Sequence, residues 1–166
     1  MIGKVLNMQI LGIDPGIGRT GWGVIEAQGA TFTAQKFGCL ETTPKSETSE
    51  RLKLIYAFIQ HLVEEFKPDA LAIEDLFFNT NAKTALVVGQ ARGVVLLCAA
   101  QNNIPISVYT PLQVKIAVTG YGRAEKKQVG QMVKILLHLS NIPKPDDTAD
   151  ALAIAITHAF SAKYPK

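Results

Sequence analysis

Short apolar runs that end in an acidic residue stand out in the first half of the chain. The first run, over residues 10–13, is typical of a strand buried on both faces. Asp14 follows it directly, and Pro15-Gly16 would end the strand. A second run, over residues 70–73, ends in the same way at Glu74. We therefore predict two buried strands, each with a carboxylate at its carboxyl end.

Apolar and polar positions predict alternating strands and helices along the chain. Apolar residues recur at steps of three and four from Leu52 to Phe66, which indicates an amphipathic helix between the two strands. A strand–helix–strand order favours a parallel pair joined by a right-handed crossover. The predicted strands span residues 8–14, 22–25, 31–40, 70–74 and 104–109, and the predicted helices span residues 49–67, 82–101, 112–118, 125–139 and 146–162.

Four glycines, at positions 16, 18, 21 and 23, follow the first acid. They would allow the loop of the first hairpin to take positive φ at several points. A glycine-rich loop after a strand also suggests phosphate binding, but the dinucleotide-binding and P-loop patterns are absent. Asp14 could itself be only a turn former, because Asp-Pro-Gly favours turns. This stretch alone leaves both interpretations of Asp14 open.

The helix predicted over residues 82–101 is apolar most of the way round. A helix of this kind is expected to be buried on more than one side. Gly89 and Gly93, four positions apart, would allow another helix to approach closely. The helix is therefore a candidate homodimer surface, with packing inside the domain core as the alternative.

Length and composition favour one soluble globular domain. The chain has 166 residues, of which 48% are hydrophobic, enough for a substantial core. We expect an N-terminal extension over residues 1–7 and a single domain over residues 8–163. The apolar segments look too short for a membrane span of ~20 residues, and residues 1–7 lack the features of a signal peptide. Cys39 and Cys98 are far apart in sequence, which suggests reduced thiols in a cytoplasmic protein.

The net charge of +3 says little, but its distribution is uneven. Residues 79–145 contain eight basic residues and one acid, Glu125, while most of the acids lie outside this block. A basic region beside an acidic pocket suits a polyanion that is held against a metal site. An ordinary solvated surface is the alternative.

Further carboxylates lie on the last predicted helix. Asp147 and Asp150, at i and i+3, share a face, and Asp146 with Asp150, at i and i+4, fits nearly as well. Asp146 or Asp147 would serve as the N-cap, which leaves Asp150 unexplained. If the first and fourth strands are parallel neighbours, Asp14 and Glu74 share the sheet edge where ligands gather. Glu74 could instead be a helix-start acid for the next segment.

Carboxylates gathered in this way would form a site with only oxygen ligands. Hard divalent ions such as Mg²⁺ and Mn²⁺ prefer such ligands. Two ions about 3.5–4 Å apart can activate water on one side of a phosphodiester and stabilise the leaving oxygen on the other. Without metal, the clustered charges would raise one another's pKa. The pattern therefore favours metal-dependent phosphodiester hydrolysis.

The chain resembles the RuvC family, the Holliday-junction resolvases of bacteria, from Met8 to about His158. The segments that carry the resemblance are ILGIDPGIGRTGWGVI from Ile10, IED at residues 73–75, VKIAVTGYGRAEKKQV from Val114, and DDTADALAIAITHA from Asp146. The resemblance implies a ribonuclease H-like α/β fold: a five-stranded mixed sheet, with the first three strands antiparallel and helices on both sides. It also implies a homodimer that nicks two opposed strands of a four-way junction symmetrically, with Mg²⁺ or Mn²⁺.

The resemblance also assigns site residues. It implies that the catalytic and metal-binding acids are Asp14, Glu74, Asp147 and Asp150, with the family's three-residue step favouring Asp147 over Asp146. It further matches Phe77 to a loop aromatic that contacts the junction, and Lys115 and Lys126 to lysines near the scissile phosphate. Arg123 and Lys127 are added as DNA-binding candidates from their charge alone. A branch-migration helicase partner is implied by the family, with no motif in the chain to indicate it.

The leading hypothesis is a structure-selective endonuclease that resolves Holliday junctions in DNA recombination and repair, with two Mg²⁺ ions per active site and Mn²⁺ as a substitute. A non-catalytic junction- or RNA-binding module of the same fold is the second hypothesis, and the complete set of acids argues against it. A nucleotide-binding ATPase or sugar-kinase half is the third, since those proteins share the strand–Asp–glycine hairpin. They need a second such domain, which 166 residues do not hold.

Overall fold

The computed structural model describes residues 7–75 and 82–162 of the chain. The strands of this part are β1 (Asn7–Asp14), β2 (Arg19–Gln28), β3 (Thr31–Glu41), β4 (Ala70–Glu74) and β5 (Ile106–Tyr109). The helices are α1 (Thr48–Phe66), α2 (Ala82–Gln101), α3 (Pro111–Thr119), α4 (Lys126–Leu136) and α5 (Asp146–Ala162). β1 begins at Asn7, one residue before the predicted start of the domain. The extension over residues 1–7 and the single domain over residues 8–163 stay predictions.

The described strands form one mixed sheet in the order β3-β2-β1-β4-β5. β1, β2 and β3 pair antiparallel, whereas β4 pairs parallel with both β1 and β5. In the β1–β4 register Ile13 lies opposite Ile73, so Asp14 and Glu74 follow at neighbouring strand ends. The predicted sheet, including its antiparallel first half, is confirmed.

Helices cover both faces of the sheet, as predicted. On one face α1 and α2 pack over Leu11, Ile13, Leu71 and Ile73. On the other face α3, α4 and α5 pack over the opposite side of the same strands. Since successive side chains of a strand point to opposite faces, Asp14 and Glu74 point to the side of α5.

The glycines of the first hairpin serve a different purpose from the one predicted. β2 begins at Arg19, so Gly21 lies inside a strand, and the described glycines with positive φ are Gly29 and Gly120. A Cβ atom on Gly21 would lie 2.0 Å from the carbonyl oxygen of Asp147. Because glycine has no Cβ atom, α5 can pack directly against the sheet at this position. The expectation of positive φ in this loop is wrong. Close approach of neighbouring atoms requires Gly16, Gly21 and Gly23, whereas a Cβ atom on Gly18 would meet only a flexible Arg51 atom at 3.7 Å.

Helix α2 is apolar most of the way round, but only one of its faces is buried within this single chain. Ala91, Val95, Cys98 and Ala99 are buried, whereas Leu86 and Leu97 are 65% and 53% exposed. The expected burial on more than one side is therefore not met within one copy. By length and composition alone Lys83–Gln101 could also cross a membrane, contrary to the expectation from the sequence; a single such helix is weak evidence, because core helices pass the same test.

Several element ends differ from the predicted ones by a few residues. α4 ends at Leu136, three residues before the predicted end, and His138 follows it with a φ of 55°. α5 already includes Asp146 and Asp147 in its first turn, so neither stands at the predicted N-cap position. Both cysteines are free thiols, as expected.

Candidate active site

Three elements bring the acidic residues predicted from the sequence to one edge of the sheet. Asp14 ends β1 and Glu74 ends β4, its parallel neighbour. Asp147 and Asp150 lie on the first turns of α5, which crosses this edge. All four carboxylates are partly buried, a costly position for charged groups that lack a cation.

Close contact between α5 and the sheet fixes the position of the helix. A Cβ atom on Gly12 would lie 2.2 Å from the carbonyl oxygen of Ala151, and one on Gly21 would overlap Asp147. Both glycines lie on neighbouring strands, so the two contacts seat the first two turns of α5 on β1 and β2. The carboxylates of Asp147 and Asp150 are thereby held beside the strand ends.

The electrostatics of Asp14 show that the acids influence one another. Burial, followed by the charges of Asp150, Glu74 and Asp147, raises the pKa of Asp14 to about 7, against the smaller opposing effect of Lys126. Asp14 therefore carries a proton in a large share of metal-free molecules at neutral pH. A cation among these groups would favour their charged forms.

Glu74 shows the same behaviour. Burial and the nearby charge of Asp150 raise the pKa of its carboxyl group, while Lys126 and Lys115 lower it. Both lysines predicted to lie near the scissile phosphate are thus within electrostatic reach of the carboxylates. Lys115 is half-buried on α3, and Lys126 opens α4.

Lys126 makes the closest contact with the acidic group. Its Nζ lies 3.0 Å from Oδ2 of Asp150, and this hydrogen bond is the largest cause of a raised lysine pKa. The Lys126 side chain is 73% exposed and the Asp150 side chain 28% exposed, so the pair lies at the mouth of the site. The ammonium group is a positive charge beside carboxylates that are also suited to a metal ion.

Two cavities adjoin this ion pair. One, of about 310 Å³, is lined by Glu74, Lys115, Lys126 and Asp150 over an apolar floor of α3 and α4. The other, of about 390 Å³, is lined by Lys126, Lys127, Lys144, Asp146 and Asp150. We name the second the lysine cavity; Lys126 and Asp150 belong to both.

The loop after Asp14 is anchored by hydrogen bonds. The Thr20 hydroxyl donates to the Gly16 carbonyl at 2.7 Å, and the Thr42 backbone N–H donates to the Gly18 carbonyl at 3.0 Å. Arg51 Nε in turn donates to the Thr42 hydroxyl at 2.7 Å. These bonds hold the loop at the carboxyl end of β1, where Asp14 needs a fixed position.

The acids fit a hard divalent ion by their chemistry, but they do not yet enclose one. Within residues 7–75 and 82–162, no three His, Cys, Asp or Glu side chains are arranged as a ready metal site. Instead, the Lys126 ammonium stands beside Asp150. Four carboxylates without a sulfur or imidazole ligand suit Mg²⁺ or Mn²⁺. The raised pKa of Asp14 shows that its charged form is unfavourable here, and such an ion would stabilise that form.

The other predicted DNA-binding residues differ in their positions. Lys127 lines the lysine cavity, whereas Arg123 is exposed in the α3–α4 connection, and no contact of the described residues joins it to the carboxylates. Phe77 lies outside the described residues.

Sequence reasoning missed several residues that contact the strand ends. Arg92 of α2 donates from Nε to the Glu74 carbonyl at 3.5 Å, and Tyr109 accepts a hydrogen bond from the Asp75 N–H at 2.7 Å through its backbone carbonyl. The Tyr109 hydroxyl also lies 2.8 Å from Nδ1 of His158 on α5. Tyr109 could have been found from its place at the end of a parallel strand, whereas nothing in the sequence indicates the partner of Arg92.

Comparison with known proteins identifies the family of this chain. The family model described as "Crossover junction endodeoxyribonuclease RuvC" matches residues 10–158. The chain belongs to the RuvC family. The resemblance drawn from the four sequence segments is therefore confirmed.

Curated RuvC relatives match almost the whole chain. The crossover junction endodeoxyribonuclease RuvC of Alkaliphilus metalliredigens is 56% identical over 157 residues, which covers 95% of this chain and 96% of the relative. That of Desulforamulus reducens is 55% identical over 152 residues and covers 92% and 93% of the two chains.

Solved RuvC structures share the fold closely. Thermus thermophilus RuvC in complex with a Holliday junction substrate matches with a TM-score of 0.90 at 39% identity, covering 94% of this chain and 95% of that one. The yeast mitochondrial Holliday junction resolvase Ydc2 matches with a TM-score of 0.63 at 15% identity, covering 90% of this chain and 78% of that one, and supports the fold alone.

Proposed function

We propose that this RuvC-family chain, a crossover junction endodeoxyribonuclease, cleaves Holliday junctions with divalent metal held by Asp14, Glu74, Asp147 and Asp150. The observation that carries the proposal is the meeting of these four acids at one edge of the sheet, at the ends of β1 and β4 and on the first turns of α5. Their proximity, together with burial, raises the pKa of Asp14. Four mutually repelling carboxylates at one sheet edge are costly to the folded chain unless a cation offsets them. Mg²⁺ is the proposed ion, two per site, with Mn²⁺ as a substitute.

Each side chain then has a defined task. Asp14, Glu74 and Asp150 hold metal, and Asp147 holds metal or orients the attacking water. When bound, the ions lower the pKa of that water and stabilise charge on the leaving oxygen. The products are a 5′-phosphate and a 3′-hydroxyl.

The lysines stabilise phosphate charge. Lys115 lies in the cavity with Glu74, and Lys126 lies in both cavities, so each can face a phosphate that is held against the carboxylates. Preorganised positive groups that point to developing negative charge accelerate phosphoryl transfer, because they need no rearrangement in the transition state. Lys127 and Arg123 contact the DNA backbone further from the reacting phosphate, and Phe77 contacts the junction.

Symmetric cleavage of two opposed strands requires two active sites. The exposed stripe of α2, with Leu86, Gly93 and Leu97 on one face, supports a homodimer that pairs these helices. No atom lies within 4 Å of a Cβ placed on Gly93, so a second helix can come close there. The proposed enzyme is cytoplasmic and receives its junctions from a branch-migration helicase.

A cleavage assay tests the metal site. Synthetic four-way junction and matched linear duplex are incubated with and without Mg²⁺, using the natural chain, Asp14→Asn and Asp150→Asn. We expect paired nicks in the junction only, dependent on Mg²⁺, and loss of cleavage in both variants with junction binding retained. Loss of binding in correctly folded variants would contradict the assigned roles, and junction binding without cleavage by the natural chain would favour a non-catalytic module.

A further inference from the structure

The lysine cavity lies beside the proposed active site. Of its lining residues, Lys126 and Asp150 belong to that site and Lys127 is a proposed DNA-backbone contact, whereas Lys144 has no role assigned above. The cavity opens between α4 and the start of α5, and the Lys126–Asp150 pair separates it from the cavity of Glu74 and Lys115. A group bound at that ion pair would therefore have one cavity on each side. This arrangement suits a chain-like ligand with regularly spaced charges better than a small isolated one.

The charge of the lysine cavity favours an anion. Lys126, Lys127 and Lys144 contribute three positive charges, against Asp146 and Asp150. Asp150 is engaged by Lys126, and Asp146 is engaged by Lys144 at 2.9 Å. Lys127 makes no ion pair with the residues that the structure describes, so its charge is available at the wall of the cavity.

The Lys144–Asp146 pair does not close the cavity to an anion. Its side chains are 75% and 60% exposed, and exposed pairs of this kind contribute little to stability. Lys144 can therefore turn from Asp146 to a phosphate at low cost. The acid–lysine contact then holds Lys144 near the mouth until a phosphate arrives.

We infer that the lysine cavity is a subsite for a DNA backbone phosphate next to the scissile one, bound by Lys127 and Lys144. The inference rests on the proposed function, which holds the scissile phosphate against the four acids, with Lys115 and Lys126 facing it. Lys115 faces the scissile phosphate and also lines the other cavity, where it can contact the phosphate on the opposite side of the scissile position. Lys144 thus becomes a substrate-binding residue, and the two cavities set the direction of the strand through the site.

Neutral phosphates test this subsite directly. A methylphosphonate, which lacks the backbone charge, is placed in turn at each position flanking the mapped cleavage site of a four-way junction. Junction affinity is measured without divalent metal for the natural chain, Lys127→Gln, Lys144→Gln and the double variant. Lys53→Gln on α1, on the other side of the sheet, is the matched control for charge.

The subsite predicts which lysine variant removes the effect of which methylphosphonate on junction affinity. We expect one flanking methylphosphonate to weaken binding about three- to tenfold in the natural chain and in Lys53→Gln, but not in the double variant. The double variant should also reduce the salt dependence of binding by about 0.7–0.9 in log–log slope, the share of one phosphate contact. Lys115→Gln should remove the effect of a methylphosphonate on the opposite side only.

Two outcomes would overturn the inference. In the first, every flanking methylphosphonate weakens junction binding equally in the natural chain and in the double variant. In the second, Lys115→Gln and Lys144→Gln both remove the effect of a methylphosphonate at the same position. Mg²⁺-dependent cleavage of the unmodified junction by the natural chain, run in parallel, separates this failure from failure of the proposed function. If the natural chain cleaves the junction but the lysine variants do not change the effect of any methylphosphonate, only the subsite is rejected. If the natural chain does not cleave, the metal-site proposal is rejected, and the affinities of the methylphosphonate junctions decide the subsite.

Discussion

Lys126 Nζ lies 3.0 Å from Oδ2 of Asp150, and Asp150 is the neighbouring charge with the largest effect on the pKa of both Asp14 and Glu74. One lysine at the start of α4 thus stands beside the acid that influences the two strand ends most. A metal ion that binds Asp150 must share its carboxylate with this ammonium or displace it. Lys126 would then be released toward the phosphate that the ion also contacts.

Replacement of Lys126 separates metal binding from catalysis. We expect Lys126→Gln to bind Mn²⁺ more tightly in the absence of DNA, because a competing cation is removed. Cleavage at saturating metal should fall about 10- to 100-fold, since a charged hydrogen bond contributes roughly 1.5–3 kcal/mol. Metal titration of the free protein and single-turnover cleavage measure the two effects, with Lys53→Gln as the control. Weaker metal binding in Lys126→Gln would show that the lysine supports the site and does not compete for it.

The raised pKa of Asp14 makes the metal-free protein less stable as the pH rises. Between the unfolded value of 3.8 and the folded value of about 7, the folded chain binds more protons than the unfolded chain, so the free energy of unfolding falls through this window. The loss reaches at most about 4 kcal/mol for a shift of this size. Glu74, whose pKa is also raised, acts in the same direction.

Urea unfolding of the metal-free protein at about pH 5.5 and about pH 8 measures this dependence. Asp14→Asn should be less sensitive to pH and more stable than the natural chain at the higher value. Mg²⁺ should restore stability to the natural chain but not to the variant, because binding to the folded state alone stabilises it. Equal slopes with pH in both proteins would show that Asp14 does not carry the shift.

Gly21 is expected to be essential for a reason that involves α5. Its Cβ position lies 2.0 Å from the Asp147 carbonyl oxygen, so Gly21→Ala must push the first turn of the helix away from β2. We expect a loss of about 1–3 kcal/mol in stability, typical of overpacking, and a larger proportional loss of cleavage, because Asp147 and Asp150 move together. Gly18→Ala in the same hairpin is the control, since its nearest neighbour is a flexible Arg51 atom at 3.7 Å. Similar effects of the two substitutions would contradict this role.

Periodicity and element ends were sufficient to predict the sheet and the acids at its edge. The helix between the two apolar runs required a crossover, and the crossover placed Asp14 beside Glu74. The reason for the glycines could not be predicted in the same way, because the atom that excludes a side chain at Gly21 belongs to a helix more than a hundred residues later. Lys144 was missed for a related reason: its contacts depend on how α4 and α5 enclose a cavity, which the charge pattern alone does not reveal.

The exposed face of α2 provides a last prediction. Leu86, Gly93 and Leu97 lie at steps of seven and four, which places them on one side of the helix, away from the buried Ala91 and Val95. A stripe of this kind, with an open glycine at its centre, suits close packing against the same helix of a second copy. A charge in such an apolar contact is costly, so we expect Leu97→Glu to convert a dimer into a folded monomer.

Sedimentation equilibrium measures the change, and Leu54→Glu is the matched control, because Leu54 is a 47% exposed leucine on α1. The monomer should retain the metal-dependent stability of its own four acids, since all of them come from one chain. It should lose paired nicking of the junction, because two opposed strands require two linked sites. A Leu97→Glu protein that remains dimeric would place the interface on another surface, whereas a monomer that still makes paired nicks would separate symmetric cleavage from dimerisation through α2.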